Sequence, residues 1–215
     1  MAARPAAARA ELPVIDLLAV VPSVVFGLWG VLVLSVHIKG LYKWLSSTFD
    51  GWPVLGTLFG DNPQGRSFFT AGIILAVMIT PIIVSISREV IETTPQNDKE
   101  AALGLGATKW EMIRGAVLPH SKGGLVGAVM LGLGRAMGET IAVALVIGST
   151  AQITSHVFFP GDAMAAVIAN QFGEAGALHK SALIGLGVVL FVITILVNVA
   201  ARGIVTRMDR RTQGA

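Results

Sequence analysis

Four long apolar runs alternate with polar segments along this 215-residue chain. They cover about 17–36, 67–87, 123–150 and 181–201. A helix of roughly 20 apolar residues is long enough to cross the ~30 Å of hydrocarbon in a bilayer. The pattern therefore predicts an all-α membrane protein, a polytopic helical bundle with four transmembrane helices that forms one transmembrane domain over residues 1–215.

Prolines and glycines inside these runs indicate where helices bend or pack closely. Pro22 and Pro81 lie in the first and second runs, where the missing N–H and the ring distort a helix. Gly27 and Gly30 thin one face of the first run, so we expect a neighbouring helix there. The third run has two pairs of glycines, each pair four residues apart, which predict a second close contact: Gly123 with Gly127, and Gly134 with Gly138.

Three polar segments separate the runs. We interpret 37–66 as an external loop with aromatic anchors, and 150–179 as a second external segment with a short interfacial helix near 163–172. The segment 88–121 lies between them. With Lys122 and Lys180 at the edges of their segments included, the N-terminus, this middle segment and the C-terminal tail carry eleven Lys and Arg, against four in the two external segments. Cytoplasmic segments are enriched in Lys and Arg, so both termini and 88–121 are predicted to be cytoplasmic.

Composition supports a location in lipid. Hydrophobic residues make up 53% of the chain and charged residues 13%, which is too few charges to coat a soluble globule of this length. The net charge of +3 does not indicate a nucleic-acid partner, because the basic residues lie at the ends of apolar runs and not in one patch.

The middle segment has the local chemistry of two short helices. Asn97 is followed three residues later by Glu100, and Thr108 by Glu111, so each pair can form a capping box at a helix start. Gly104 and Gly106 lie between the two pairs, where a residue able to adopt positive φ would end the first helix and turn the chain.

This segment resembles the cytoplasmic loop of ABC importer permeases of the type I fold. The family pattern is Glu-Ala-Ala, three residues, Gly, nine residues, Ile, one residue, Leu-Pro. Six positions match: Glu100, Ala101, Ala102, Gly106, Leu118 and Pro119. Ala116 occupies the Ile position, and Pro119 is expected to begin the third span. The resemblance implies that these residues dock onto a partner ATPase.

Two further stretches resemble permeases of the phosphate importer, the Pst system, in its PstC-like subunit. They are 22–30 (Pro-Ser-Val-Val-Phe-Gly-Leu-Trp-Gly) and 131–140 (Leu-Gly-Leu-Gly-Arg-Ala-Met-Gly-Glu-Thr). The resemblance implies a bacterial inner-membrane complex that imports inorganic phosphate. Its other members would be a PstA-like second permease, a PstB-like ATPase dimer and an extracytoplasmic PstS-like phosphate-binding protein. Such permeases usually carry about six spans, so we expect the family's N-terminal spans to be absent from this chain.

Arg135 and Glu139 stand within the third apolar run. A charge at mid-membrane costs roughly 2.5–3.5 kcal/mol on insertion scales, so both need partners or water. Being four residues apart in a helix, they would share a face and could pair. The resemblance implies a role in phosphate movement, for which we name Arg135, Glu139 and the adjacent Thr140 as the substrate pathway. A structural ion pair between helices is the alternative.

An enzymatic role has little support in the sequence. The chain has no phosphate-cradling Gly-x-x-x-x-Gly-Lys-Ser/Thr loop, no His-Glu-x-x-His helix and no Gly-x-Ser-x-Gly turn. ATP and Mg²⁺ would be bound by the partner ATPase, and no catalytic, cofactor or metal site is expected in this chain. Three alternatives stay open: a permease for sulfate or molybdate, the PstA-like sister subunit, and a truncated assembly subunit that does not transport.

Overall fold

The structure is a computed structural model, and the residues it describes are 21–49, 51–52, 58–59 and 64–213, with side chains as far as 203. The start of the first predicted span, at 17–20, and the basic N-terminus lie outside the described residues. Every regular element in the described ranges is helical, which confirms the all-α class. The α-helices are α1 Ser23–Trp29, α2 Ser35–His37, α3 Lys39–Phe49, α4 Phe68–Glu92, α5 Gln96–Gly104, α6 Lys109–Met112, α7 Leu118–Met137, α8 Ile141–Ile147, α9 Met164–Gln171 and α10 Ala177–Gln213, with π-helical turns at Gly30–Leu34 and Ile113–Val117.

Three of the described stretches are long and apolar enough to cross a membrane. They are Phe68–Glu92, Lys109–Met137 and Ala177–Gly203. A fourth span results if Ser23–His37 and Lys39–Phe49, which meet at a bend of 53°, count as one. Four spans thus remain compatible with the structure.

Two predicted boundaries were wrong. The external loop expected at 37–66 begins instead with α3, because Tyr42, Leu45 and Phe49 recur at helical spacing and bury one face of it. Pro22 does not break a helix from within. It stands immediately before α1, where its fixed φ of −58° and missing N–H suit a helix start.

The described residues fall into two compact units, each considered by itself. The first unit contains Ile79–Arg135 and the described part of Thr194–Ala215, and the second contains the described parts of Val20–Met78 and Ala136–Ile193.

Glycines bring two helices together within the first unit. A Cβ on Gly132 would stand 2.6 Å from Ile83, and one on Gly124 would overlap Val90, so α7 approaches the C-terminal half of α4 closely at both positions. A Cβ on Gly127 or Gly134, where we had expected such a contact, would meet nothing within 4 Å among the residues that the structure describes. Close packing is therefore present in this helix, but at Gly124 and Gly132, which lie on a neighbouring face.

Glycines do the same in the second unit, at the positions predicted from the sequence. A Cβ on Gly27 would lie 2.9 Å from the backbone of Ala142, and one on Gly30 would lie 2.6 Å from Val146. Helices α1 and α8 are consequently in close contact, and Val146 is completely buried.

A cluster of rings, which we call the aromatic hub, packs in another part of that unit around the buried Tyr42 and Phe158. It consists of Tyr42, Phe59, Phe69 and Phe158. The rings of Tyr42 and Phe158 are stacked with centroids 4.3 Å apart, and Phe59 stacks on Phe158 at 4.9 Å. The Tyr42 hydroxyl lies 2.9 Å from Thr70 Oγ1, and Tyr42 and Phe158 are both 0% exposed. Backbone hydrogen bonds from Phe68 and Phe69 to the carbonyls of Phe159 and Val157 hold the loop before α9 against the start of α4.

Candidate functional site

Residues 95–112, which we call the docking segment, form two short helices joined by a tight turn. Helix α5 ends in a Schellman motif: the N–H of Gly106 donates to Leu103 O at 3.0 Å, and the N–H of Ala107 donates to Ala102 O at 3.2 Å. Gly106 has a φ of +85°, which a residue with a Cβ adopts only under strain. The predicted turn at Gly106 is confirmed.

The predicted capping box at the second helix is also present. Thr108 Oγ1 accepts from the N–H of Glu111 at 3.3 Å, and Glu111 Oε2 accepts from the N–H of Thr108 at 2.8 Å. The box expected at Asn97 and Glu100 is wrong. Helix α5 already begins at Gln96, directly after Pro95, so Asn97 lies inside the helix and makes no cap.

The docking segment presents its side chains to the surroundings. Helices α5 and α6 contain no buried residue in the described structure. Leu105 is 90% exposed and Trp110 66% exposed, with Leu103 also exposed. Glu100 and Ala101 are exposed on α5, while Ala102 is half-buried and uses its carbonyl in the Schellman motif. Large apolar side chains left open in this way are typical of a surface that binds another protein.

The last two residues of the Glu-Ala-Ala pattern lie elsewhere than predicted. Pro119 does not start the third span: Leu118 and Pro119 lie within one stretch, Lys109–Met137, that is helical throughout. A proline ring clashes with the carbonyl four residues earlier, here that of Gly115. The π-helical turn at Ile113–Val117 includes Gly115, and its wider hydrogen-bond spacing accommodates the proline without ending the helix.

The proposed pathway residues lie around a break in the third predicted span. Helix α7 ends at Met137 and α8 begins at Ile141, so the continuous helix expected over 123–150 is wrong. Arg135 is exposed in the last turn of α7. Glu139 Oε1 accepts from the N–H of Ala142 at 3.2 Å and thereby caps α8. Since Arg135 and Glu139 are not in one helix, the pairing we derived from i, i+4 geometry loses its basis.

Physical reasons for this break can be read from its residues. Gly138 weakens the helix, and the Glu139 carboxylate supplies an acceptor for a new helix start. Thr140 occupies the capping position of α8, and its Oγ1 lies 3.3 Å from the carbonyl oxygen of Gly138, to which it donates. In a membrane, irregular backbone is tolerated where it is buried in protein or lines a cavity.

A cavity of about 440 Å³ in the second unit adjoins the break. Most of its wall is apolar, with contributions from α4, α8 and α10. Among the described residues that line it, the charged ones are Glu139 and Asp162, both acidic. An inorganic anion would be repelled by these carboxylates, so this cavity by itself is a poor anion site.

Comparison with known proteins decides the family. The model of the protein family described as "Binding-protein-dependent transport system inner membrane component" matches residues 1–214. The chain belongs to this family. Membership confirms the resemblance found at the Glu-Ala-Ala pattern, and places the protein among inner-membrane components with several membrane-spanning helices.

Several curated members of this transport family are closely similar to the chain. The phosphate transport system permease protein PstC of Haemophilus influenzae is 45% identical over 200 residues, which cover 91% of this chain and 62% of that protein. PstC of Mesorhizobium japonicum is 44% identical, with 92% and 61% covered. PstC 2 of Mycobacterium tuberculosis is 47% identical, with 88% and 59% covered. The chain spans about three fifths of the length of these relatives.

Sequence reasoning missed two residues at the base of the docking segment of this permease. Thr94 and Ser121 are buried, and their hydroxyl oxygens lie 3.3 Å apart. Each had only the ordinary signal of a small polar residue near a helix end. Their proximity depends on how α4 and α7 pack, which the sequence does not reveal.

Proposed function

We propose that this chain is the transmembrane permease of an ABC importer that moves inorganic phosphate across the bacterial inner membrane, driven by ATP hydrolysis in a partner subunit. The observation that carries the proposal is the docking segment. It is preformed by its caps and turn, yet leaves Leu105 and Trp110 open for a partner. The family and the similarity to PstC proteins support the same reading.

The docking segment couples the ATPase to the permease. Trp110 and Leu105 enter apolar pockets of the ATPase, since large buried side chains supply most of the energy at such interfaces. Glu100 contributes a charge that orients the encounter. Orientation with both termini cytoplasmic would place this segment on the ATP side of the membrane.

Arg135 is the proposed phosphate contact. A guanidinium offers a planar fork of donors suited to phosphate oxygens and keeps its charge at any working pH. Glu139 can accept a hydrogen bond from the P–O–H group of hydrogen phosphate, which sulfate lacks near neutral pH. Thr140 supplies a hydroxyl beside it. The acidic lining of the cavity favours a path in which Arg135, and not this cavity alone, holds the anion.

The partners follow from this assignment. A PstA-like second permease completes the pathway, a PstB-like ATPase dimer binds ATP and Mg²⁺, and a PstS-like protein delivers phosphate from outside. This chain contributes no nucleotide site.

The test is reconstitution of the protein with those partners in proteoliposomes. We expect ATP-dependent uptake of radiolabelled phosphate and an ATPase rate stimulated by the phosphate-loaded binding protein. Gly106→Val, which strains the turn, and Glu100→Lys should abolish both while the complex remains in the membrane. Gly104→Ala is the matched control, because Gly104 is helical and has open space around it, and it should behave as wild type.

Other outcomes distinguish the alternatives. Uptake of sulfate or molybdate in preference to phosphate would show that the transported substrate is another oxyanion. Normal stimulation in Gly106→Val and Glu100→Lys would refute the docking role. Assembly with no uptake of any oxyanion would identify an assembly subunit in place of a transporter.

A further inference from the structure

Helix α7 packs against the C-terminal half of α4, and we call this helix pair the stem of the docking segment. Three contacts follow one another along it: Gly132 against Ile83, Gly124 against Val90, and Ser121 against Thr94. Along α7 the contacts run from Gly132 to Ser121. Along α4 and the residues that follow it they run from Ile83 to Thr94, so both series approach the docking segment over the same number of residues. The contacts span about three helical turns on one face, so the two helices run antiparallel in steady register.

The contact nearest the docking segment differs from the other two in chemistry. It is a pair of hydroxyls, Thr94 Oγ1 and Ser121 Oγ, which we call the hydroxyl clip. Thr94 is 3% exposed and Ser121 1% exposed. A buried hydroxyl without a hydrogen-bond partner has lost its bonds to water and gained none in return. Separating Thr94 from Ser121 within the protein would therefore cost free energy.

The position of Thr94 gives the clip mechanical significance. It lies after the end of α4 at Glu92 and immediately before Pro95, which precedes α5. This short connector is the route by which a displacement of α5 reaches α4. A connector of two or three residues outside a helix is a natural hinge, and the clip fixes it to α7.

At its C-terminal end the docking segment continues through α6 into α7 as one helical stretch, so its other end, at the connector to α4, is the one that needs a further contact. Its own helices bury no residue in the described structure, and their caps are internal to the segment. A push on α5 from the ATPase would therefore be absorbed at the connector unless the connector is held. With the clip closed, the push moves α4 and α7 together.

We propose that Thr94 and Ser121 are positioning residues that couple the docking segment to the membrane helices, and that the clip stays closed through the transport cycle. This inference rests on the proposed function for its readout, but the presence of the clip can be measured separately.

The first experiment measures phosphate imported per ATP hydrolysed in the reconstituted complex. Thr94→Val keeps the shape of the side chain and removes the hydroxyl, and should lower this ratio by at least about threefold, because ATP is hydrolysed without movement of the stem. Thr94→Ser should restore it. Thr93→Val is the matched control: Thr93 is exposed and its hydroxyl donates to Val90 O within its own helix end. A merely structural role would reduce the amount of complex and leave the ratio unchanged.

The second experiment uses the fact that the chain has no cysteine. Thr94→Cys with Ser121→Cys should cross-link on mild oxidation in the assembled complex, and the oxidised complex should keep the wild-type ratio. Failure to cross-link, or a block of transport that reductant reverses, would overturn the proposal. Cross-linking is read on a gel and needs no phosphate. If the double-cysteine variant cross-links but the wild-type complex imports no phosphate, the proposed function alone is refuted.

Discussion

The aromatic hub and the docking segment differ in how much of their side-chain surface is buried within the described structure. The hub encloses Tyr42 and Phe158 completely, satisfies the buried Tyr42 hydroxyl with Thr70, and ties the loop before α9 to α4 through the backbone. The docking segment closes its helix ends as carefully, with a Schellman motif and a capping box, but buries nothing. The hub packs its rings against one another within this chain, whereas the docking segment is a shaped surface left exposed, as expected for an interface with the proposed partner.

The difference separates stability from coupling. Changes in the hub should lower the free energy of unfolding, since its contacts exist already in the chain. Changes at the exposed tip of the docking segment should leave that free energy almost unchanged and act on the partner interface. The following substitutions test this separation, from the largest expected effect on stability to the smallest.

Tyr42→Ala should be the most damaging. It removes a fully buried ring stacked on Phe158, and such truncations cost about 3–5 kcal/mol. Tyr42→Phe keeps the ring but leaves Thr70 without this partner, and should cost about 1 kcal/mol. Thermal unfolding of the detergent-solubilised protein measures both. Equal melting temperatures for Tyr42→Ala and wild type would show that the hub is not a stabilising core.

Gly132→Leu should come next. Its side chain would overlap Ile83, and overpacking of this kind costs about 1–3 kcal/mol. Gly134→Leu is the matched control two residues away, where the structure leaves open space. The melting temperature should fall for the first and not for the second. The reverse order would mean that α7 presents its other face to α4.

Thr108→Ala removes the side chain that begins α6. The loss of such a cap costs about 1 kcal/mol, and here it should be confined to the docking segment. Hydrogen exchange of the Trp110 and Glu111 amides should accelerate, while exchange in α4 and the overall melting temperature stay as in wild type. A fall in global stability would contradict the local character of this segment.

Trp110→Ala should change stability least, by no more than about 0.5 kcal/mol, because the side chain is already exposed. Its effect should be on binding: the solubilised permease should no longer retain the ATPase on an affinity column. Retention equal to wild type would remove Trp110 from the docking surface, and a large fall in melting temperature would place it in the chain's own core.

The sequence predicted best what local chemistry decides. The turn at Gly106 and the box at Thr108 and Glu111 depend on residues three or four positions apart, and both are present. Gly27 and Gly30 were identified as packing residues correctly, because a short run with two glycines has one obvious thin face.

The features that the sequence could not predict depend on contacts between residues far apart in the chain, or on residues that favour two different local structures. Helix α7 has glycines on more than one face, and only its rotation against α4 selects Gly124 and Gly132. Tyr42 meets Phe158 across more than a hundred residues, which no periodicity records. At Gly138 to Thr140, apolar neighbours on both sides suggested one helix, while the capping carboxylate of Glu139 starts another. The roles of Arg135, Glu139 and Thr140 stay predictions.

The π-helical turn at Ile113–Val117 makes chain length itself informative. It accommodates one residue more than an α-helical turn, so side chains before it are rotated by about 100° around the helix axis relative to an uninterrupted helix. Deleting Gly115 alone would allow an uninterrupted α-helix with one residue fewer, in which Trp110 keeps its azimuth relative to α7. Converting the π-helical turn to an α-helical one without a deletion would instead swing Trp110 by about 100°, and would redirect the proposed ATPase contact without altering any side chain that makes it.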